Sequence, residues 1–118
     1  MYRLINKFYR IIESIQNIIR WFPVIWHDRD WDHSYFYSIL HFKLKNMEEY
    51  FNSEYTWGVN APKDAKRIKV SRILVERLLE DNYWENAKED LYHSIYMENQ
   101  DREYLFDLIK KYINRWWD

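Results

Sequence analysis

The segment Trp26-His-Asp-Arg-Asp-Trp-Asp-His33 packs three carboxylates, two imidazoles, a guanidinium and two indoles into eight residues. Its alternating aspartates, Asp28, Asp30 and Asp32, resemble the start of a calcium loop. That loop needs glycine at its sixth position and a carboxylate at its twelfth, and here those positions hold His33 and Ile39. His27 and His33 offer donors for zinc or manganese, but no helical His-x-x-x-His pair supports them. Short Asp/His clusters of this kind serve as caps and ion pairs, so neither a metal nor a cofactor is expected. Arg29 supplies a planar fork for phosphate or carboxylate, and Trp26 and Trp31 supply stacking faces.

Lys43 is the second notable residue. The sequence places it within the apolar arc Phe36, Ile39, Leu40, Leu44, Met47, Tyr50 and Phe51, where a charge is costly unless it is paired or reaches water. Either one of Asp28, Asp30 and Asp32 neutralises it, or it points into a cleft and holds an anion. A third group lies further on. Lys63, Lys66, Arg67 and Arg77 share a face at helical spacing, which makes an anion-binding strip or a solvated surface.

Enzyme chemistry finds little support. A chain with one glycine and no cysteine builds no glycine-rich phosphate loop, nucleophile elbow, disulfide framework or thiolate site. Ser34 and Ser38 lack a nucleophile's context. Glu48-Glu49 with Glu76, Glu80 and Asp81 loosely resemble the paired acids of helical nucleotide pyrophosphatases, but the spacing differs. A metal-assisted phosphohydrolase is the weakest of the readings.

These residues must be positioned by helices. In 118 residues, 47% hydrophobic and 31% charged, helical periodicity dominates and no strand-like alternation persists. We expect one domain over residues 1–118, an all-α, compact bundle of four to five helices. Leu4, Ile5, Phe8, Ile11, Ile12, Ile15, Ile18 and Ile19 define a first helix from Tyr2 to Trp21, core-facing and stopped before Pro23. Asp32 caps a second helix running to about Asn52. A third spans about 61–81, with Asn60 or a neighbour as cap and Pro62 in its first turn. A short helix lies around 84–95, and Asp101 caps the last. The first, second, third and last helices are expected to form the core.

Charge is uneven along the chain. Residues 1–75 hold twelve Lys/Arg against eight Asp/Glu; residues 76–118 hold six against eleven. Seven Trp and eleven Tyr exceed what so small a core can bury, so some aromatics face a ligand or a partner. A homo-oligomer is expected on both grounds. No apolar run approaches the ~18 residues that span a bilayer, and no membrane partner is expected.

The motif Trp26-x-Asp28-Arg-Asp-Trp-Asp32, the run His41-Phe-Lys-Leu-Lys-Asn-Met47, the stretch Arg72 to Tyr83 and the terminal Trp116-Trp-Asp118 resemble a group of small phage-encoded hypothetical proteins. The resemblance covers about residue 20 to the end. It implies a phage or prophage origin and action in a host bacterial cytoplasm, and it carries over no catalytic residue. By analogy with helical phage proteins that sponge cyclic nucleotide immune signals, the expected function is sequestration of an anionic nucleotide, a cyclic oligonucleotide, without turnover. Trp26, Arg29, Trp31, Lys43 and the basic strip on the third helix are its candidate contacts. The alternative is a protein that occludes a host or phage protein through a Trp-rich surface.

Overall fold

The computed structural model describes residues 2–117. Five α-helices follow one another: α1 (Tyr2–His27), α2 (His33–Phe51), α3 (Ala61–Glu80), α4 (Tyr83–Asn86) and α5 (Leu91–Tyr112), then a 3-10 turn at Ile113–Arg115. The fold is all-α, and no strand occurs among the described residues. The chain divides into two compact units, Met1–Tyr35 and Phe36–Asp118.

In the first unit, α1 does not stop before Pro23 but continues through it to His27. Proline removes one ladder hydrogen bond and disfavours helix in the preceding residue. Two local features offset that cost. Phe22 and Trp26 pack their rings across the proline, 5.6 Å between centroids. Beyond the helix end, Arg29 Nη1 donates to the carbonyls of Trp26 (3.2 Å) and Asp28 (2.6 Å), satisfying acceptors that a helix terminus leaves open. The expected core role of α1 is also corrected, because none of its residues is buried. An amphipathic pattern specifies that a face needs cover, not which element covers it.

Asp32 caps α2 as the sequence indicates, its carboxylate accepting from the Ser34 N–H at 2.9 Å. The second unit gathers its core from α2, α3, α4, α5 and the segment beyond. Ile68, Val75 and Leu105 are fully enclosed, and Tyr37, Leu44, Phe51, Leu74, Tyr83 and Trp116 pack with them. Arg72 of α3 bridges Glu48 of α2 and Glu76 of its own helix, and His41 Nε2 lies 2.9 Å from Glu76.

The C-terminal half departs from its expected boundaries. The last helix begins at Leu91, capped by Asp90, whose side chain accepts from the His93 N–H. Asp101 sits mid-helix and buried, and it caps nothing. It accepts the Tyr83 hydroxyl at 2.7 Å and pairs with Arg77 at 3.1 Å. That pairing removes the cost which would have kept a carboxylate out of a helix interior.

Candidate functional site

Each unit is described by itself, and the candidate residues divide between them. Trp26, Arg29 and Trp31 belong to the first. Trp26 and Trp31 are strongly exposed, Trp31 standing edge-on to Tyr35. The Arg29 guanidinium is committed to the end of α1 through the two carbonyl bonds above.

Lys43 lies in the second unit, and the premise that made it notable is overturned. The buried arc of α2 is Tyr37, Leu44 and Phe51, flanked by Leu40 and Met47. Phe36, Ile39 and Tyr50, expected inside, are exposed, and Lys43 is exposed beside them. Tyr37 occupies the core position that simple hydropathy gave to Phe36, so the arc shifts toward Tyr37, keeps Leu40, Leu44, Met47 and Phe51, and leaves Lys43 outside.

On α3, Lys63 and Lys66 are exposed, whereas Arg67 and Arg77 are used by the fold. Arg77 neutralises Asp101. The Arg67 guanidinium lies 3.9 Å over the Tyr112 ring and 3.6 Å from Asp64. The acids that loosely suggested phosphohydrolysis are also occupied, since Glu48 and Glu76 are both held by Arg72. Hydrogen bonds from His41 and Arg72 hold the Glu76 carboxyl below its usual range. Among the described residues, no three His, Asp or Glu side chains converge as a metal site.

A cleft of about 430 Å³ opens where the α2–α3 loop, the first turn of α3 and the segment after α5 meet. The loop is shaped by short-range bonds: Ser53 Oγ donates to the Tyr50 carbonyl, and Thr56 Oγ1 donates to that of Ser53. It delivers Trp57, Gly58, Val59 and Asn60 to one wall, and Asn114, Arg115 and Trp117 form the other. Trp57 is 92% exposed and Trp117 76%, so both indoles present broad faces to solvent. Phe51 and Ala61 close the apolar base.

Asp64 also lines this cleft, and it is 4% exposed. Its position in the first turn of α3 favours a negative charge through the helix dipole. Its Oδ1 nevertheless has no hydrogen-bond partner among the described residues. Arg67 Nη1 pairs with that oxygen at 3.6 Å, too far for a hydrogen bond, and the buried Trp116 indole N–H also lacks an acceptor among the described residues. A buried polar atom without a hydrogen bond costs about 1–3 kcal/mol, and the Asp64–Arg67 ion pair offsets only part of that for these two groups.

Sequence reasoning missed this constellation. Asp64 looks like any first-turn acid, and residues 57–64 and 114–117 meet only through the packing of α3 on α5. The available signal was the placing of Trp57 in the main loop and of a Trp116-Trp117 pair after the last helix, of which only one indole enters the core. The chain matches no family model, no curated protein and no solved structure. Among the described residues, no helix is long and apolar enough to cross a membrane.

Proposed function

We propose that the chain is a binding protein that sequesters an anionic nucleotide in the Trp57–Asp64–Arg115–Trp117 cleft without turning it over. The observation that carries this reading is the combination on one cleft of two exposed indoles, a guanidinium and a buried carboxylate whose Oδ1 makes no hydrogen bond among the described residues. Indole faces stack on a nucleobase, and each such stack contributes about 1–3 kcal/mol. Arg115 matches a phosphate bidentately. Asp64 accepts N–H groups from a base edge, and the amides of Asn60 and Asn114 add orientation. The volume suits one nucleotide unit.

In the phage setting that the motif resemblance implies, the ligand class is a cyclic oligonucleotide immune signal. The protein then acts in the host bacterial cytoplasm, as a homo-oligomer. Thermal-shift and calorimetric titrations with mononucleotides and with cyclic di- and trinucleotides test this. Binding is expected for the wild type and weakened at least tenfold in Trp57→Ala and in Arg115→Ala. No binding by any nucleotide, or conversion of the ligand seen by mass spectrometry, defeats the reading.

One observation favours the occlusion of a host or phage protein instead. Tyr92 and Tyr96 lie exposed on α5, with Trp84 on α4, as aromatic anchors for a partner surface. That reading takes precedence if nucleotides fail and Tyr92→Ala abolishes capture of a defined partner.

A further inference from the structure

α1 is 26 residues long and buries none of them, yet most of its apolar residues follow a strict rule. Leu4, Ile11, Ile18 and Ile25 recur every seven residues. Phe8, Ile15 and Phe22 interleave with them at alternating spacings of four and three, which are the a and d positions of a heptad. Ile5, Ile12, Ile19 and Trp26 fill the adjacent e position throughout. No charged residue enters any of these positions. Arg3, Lys7, Arg10, Glu13 and Arg20 all lie elsewhere on the helix.

We propose that α1 is a coiled-coil seam occupied by α1 of further copies of this chain. This rests on the homo-oligomer proposed above and is independent of the nucleotide cleft, whose residues all lie beyond Tyr50. Two arguments select this occupant. The first is period. A straight helix drifts about 20° per heptad against a seven-residue repeat, so on a flat lipid surface the stripe wanders by roughly 60° over three heptads. Only a supercoiled partner keeps every a and d position facing it. The second is area. The eleven side chains, all exposed except the half-buried Ile12, present on the order of 1,200 Å² per copy. Covering two-thirds of that buries about 800 Å² per partner, the size of a stable protein interface.

Sedimentation velocity on the full chain at tens of micromolar tests the proposal. The wild type is expected to run as an oligomer and Ile11→Lys/Ile18→Lys as a monomer. Gln16→Lys/Asn17→Lys, on the polar side of the same helix, keeps the wild-type mass. Ile18→Ala, which leaves helix propensity intact, weakens association about tenfold or more. The seam double variant retains any nucleotide-induced thermal shift, which shows that it is folded and separates this test from that of the cleft. A monomeric wild type, or a seam variant with unchanged mass, overturns the proposal. So does a monomeric wild type that floats with phosphatidylglycerol vesicles, which assigns the face to lipid instead.

Discussion

The Tyr83 hydroxyl donates to Asp101 at 2.7 Å, and the same Asp101 oxygen takes Arg77 Nε at 3.1 Å, so one buried carboxylate ties α4 and α3 to α5. Burial and the neighbouring Asp101 push the Tyr83 phenol well above its ordinary value of 10.0. A group with a raised folded pKa contributes its full stability below the unfolded value and loses it as pH rises toward the folded one. Wild-type stability is therefore expected to fall above about pH 10 more steeply than that of Tyr83→Phe. At neutral pH, Tyr83→Phe costs about 1–2 kcal/mol. Urea denaturation at pH 7 and pH 10.5, followed by circular dichroism, measures both.

The Arg72 bridge predicts an acid limb. Glu76 is held below its ordinary value of 4.5 by hydrogen bonding first from His41 and then from Arg72. Its contribution is present above the unfolded value and disappears as pH falls below about 4.5 through the folded value. Glu76→Gln flattens that part of the stability profile. Arg72→Met leaves Glu48 and Glu76 without their cation and destabilises at neutral pH by about 2 kcal/mol.

Asp81 ends α3 in the left-handed region, at φ 52° and ψ 46°, with its N–H returned to the Arg77 carbonyl. Glycine is the residue best suited to that position, because any side chain meets a steric penalty there. Asp81→Gly is expected to stabilise the protein by about 0.5–1 kcal/mol, read as a rise in melting temperature.

Lys43→Met tests the corrected reading of α2. Lys43 is exposed and outside the cleft, so its replacement is expected to change stability by less than about 0.5 kcal/mol and to leave nucleotide affinity unchanged. Asp64→Asn is the contrast. It removes the cleft's buried negative charge, and nucleotide affinity falls at least tenfold while the all-helical circular dichroism signature persists.

Helix content was legible because it is written in local periodicity. The buried stripe of α3, with Ile68, Leu74, Val75 and Leu78, follows from spacing alone. Boundaries failed where a side-chain partner, near in sequence or distant, changed a backbone rule. Pro23 stays inside α1 with the help of Phe22, Trp26 and Arg29, and Asp101 stays inside α5 because Arg77 and Tyr83 receive it. The arc of α2 was misplaced at one edge: hydropathy favours Phe36 over Tyr37, yet Tyr37 is buried, so Leu40, Leu44, Met47 and Phe51 stay inside while Phe36, Ile39, Tyr50 and Lys43 fall outside. The cleft was illegible for a plainer reason. Its walls are far apart in the chain, residues 57–60 against 114–117, and no local pattern reports that Trp57 and Trp117 share a cavity.

The chain has a single glycine, yet Asp81, Lys88 and Glu89 all adopt positive φ, at 52°, 53° and 63°. Each left-handed residue costs about 1–2 kcal/mol, and together they bracket residues 82–87, which include α4. That stretch is bent sharply at both ends and anchored by the buried Tyr83 ring near its start and by buried Ala87 at its end. Its hold on the core rests on two buried side chains, Tyr83 and Ala87, so it is a natural unit of sub-global opening. In amide hydrogen exchange, the 82–90 amides should lose protection well before those of α3. Tyr83→Phe should widen that gap, making this segment the protein's built-in point of give.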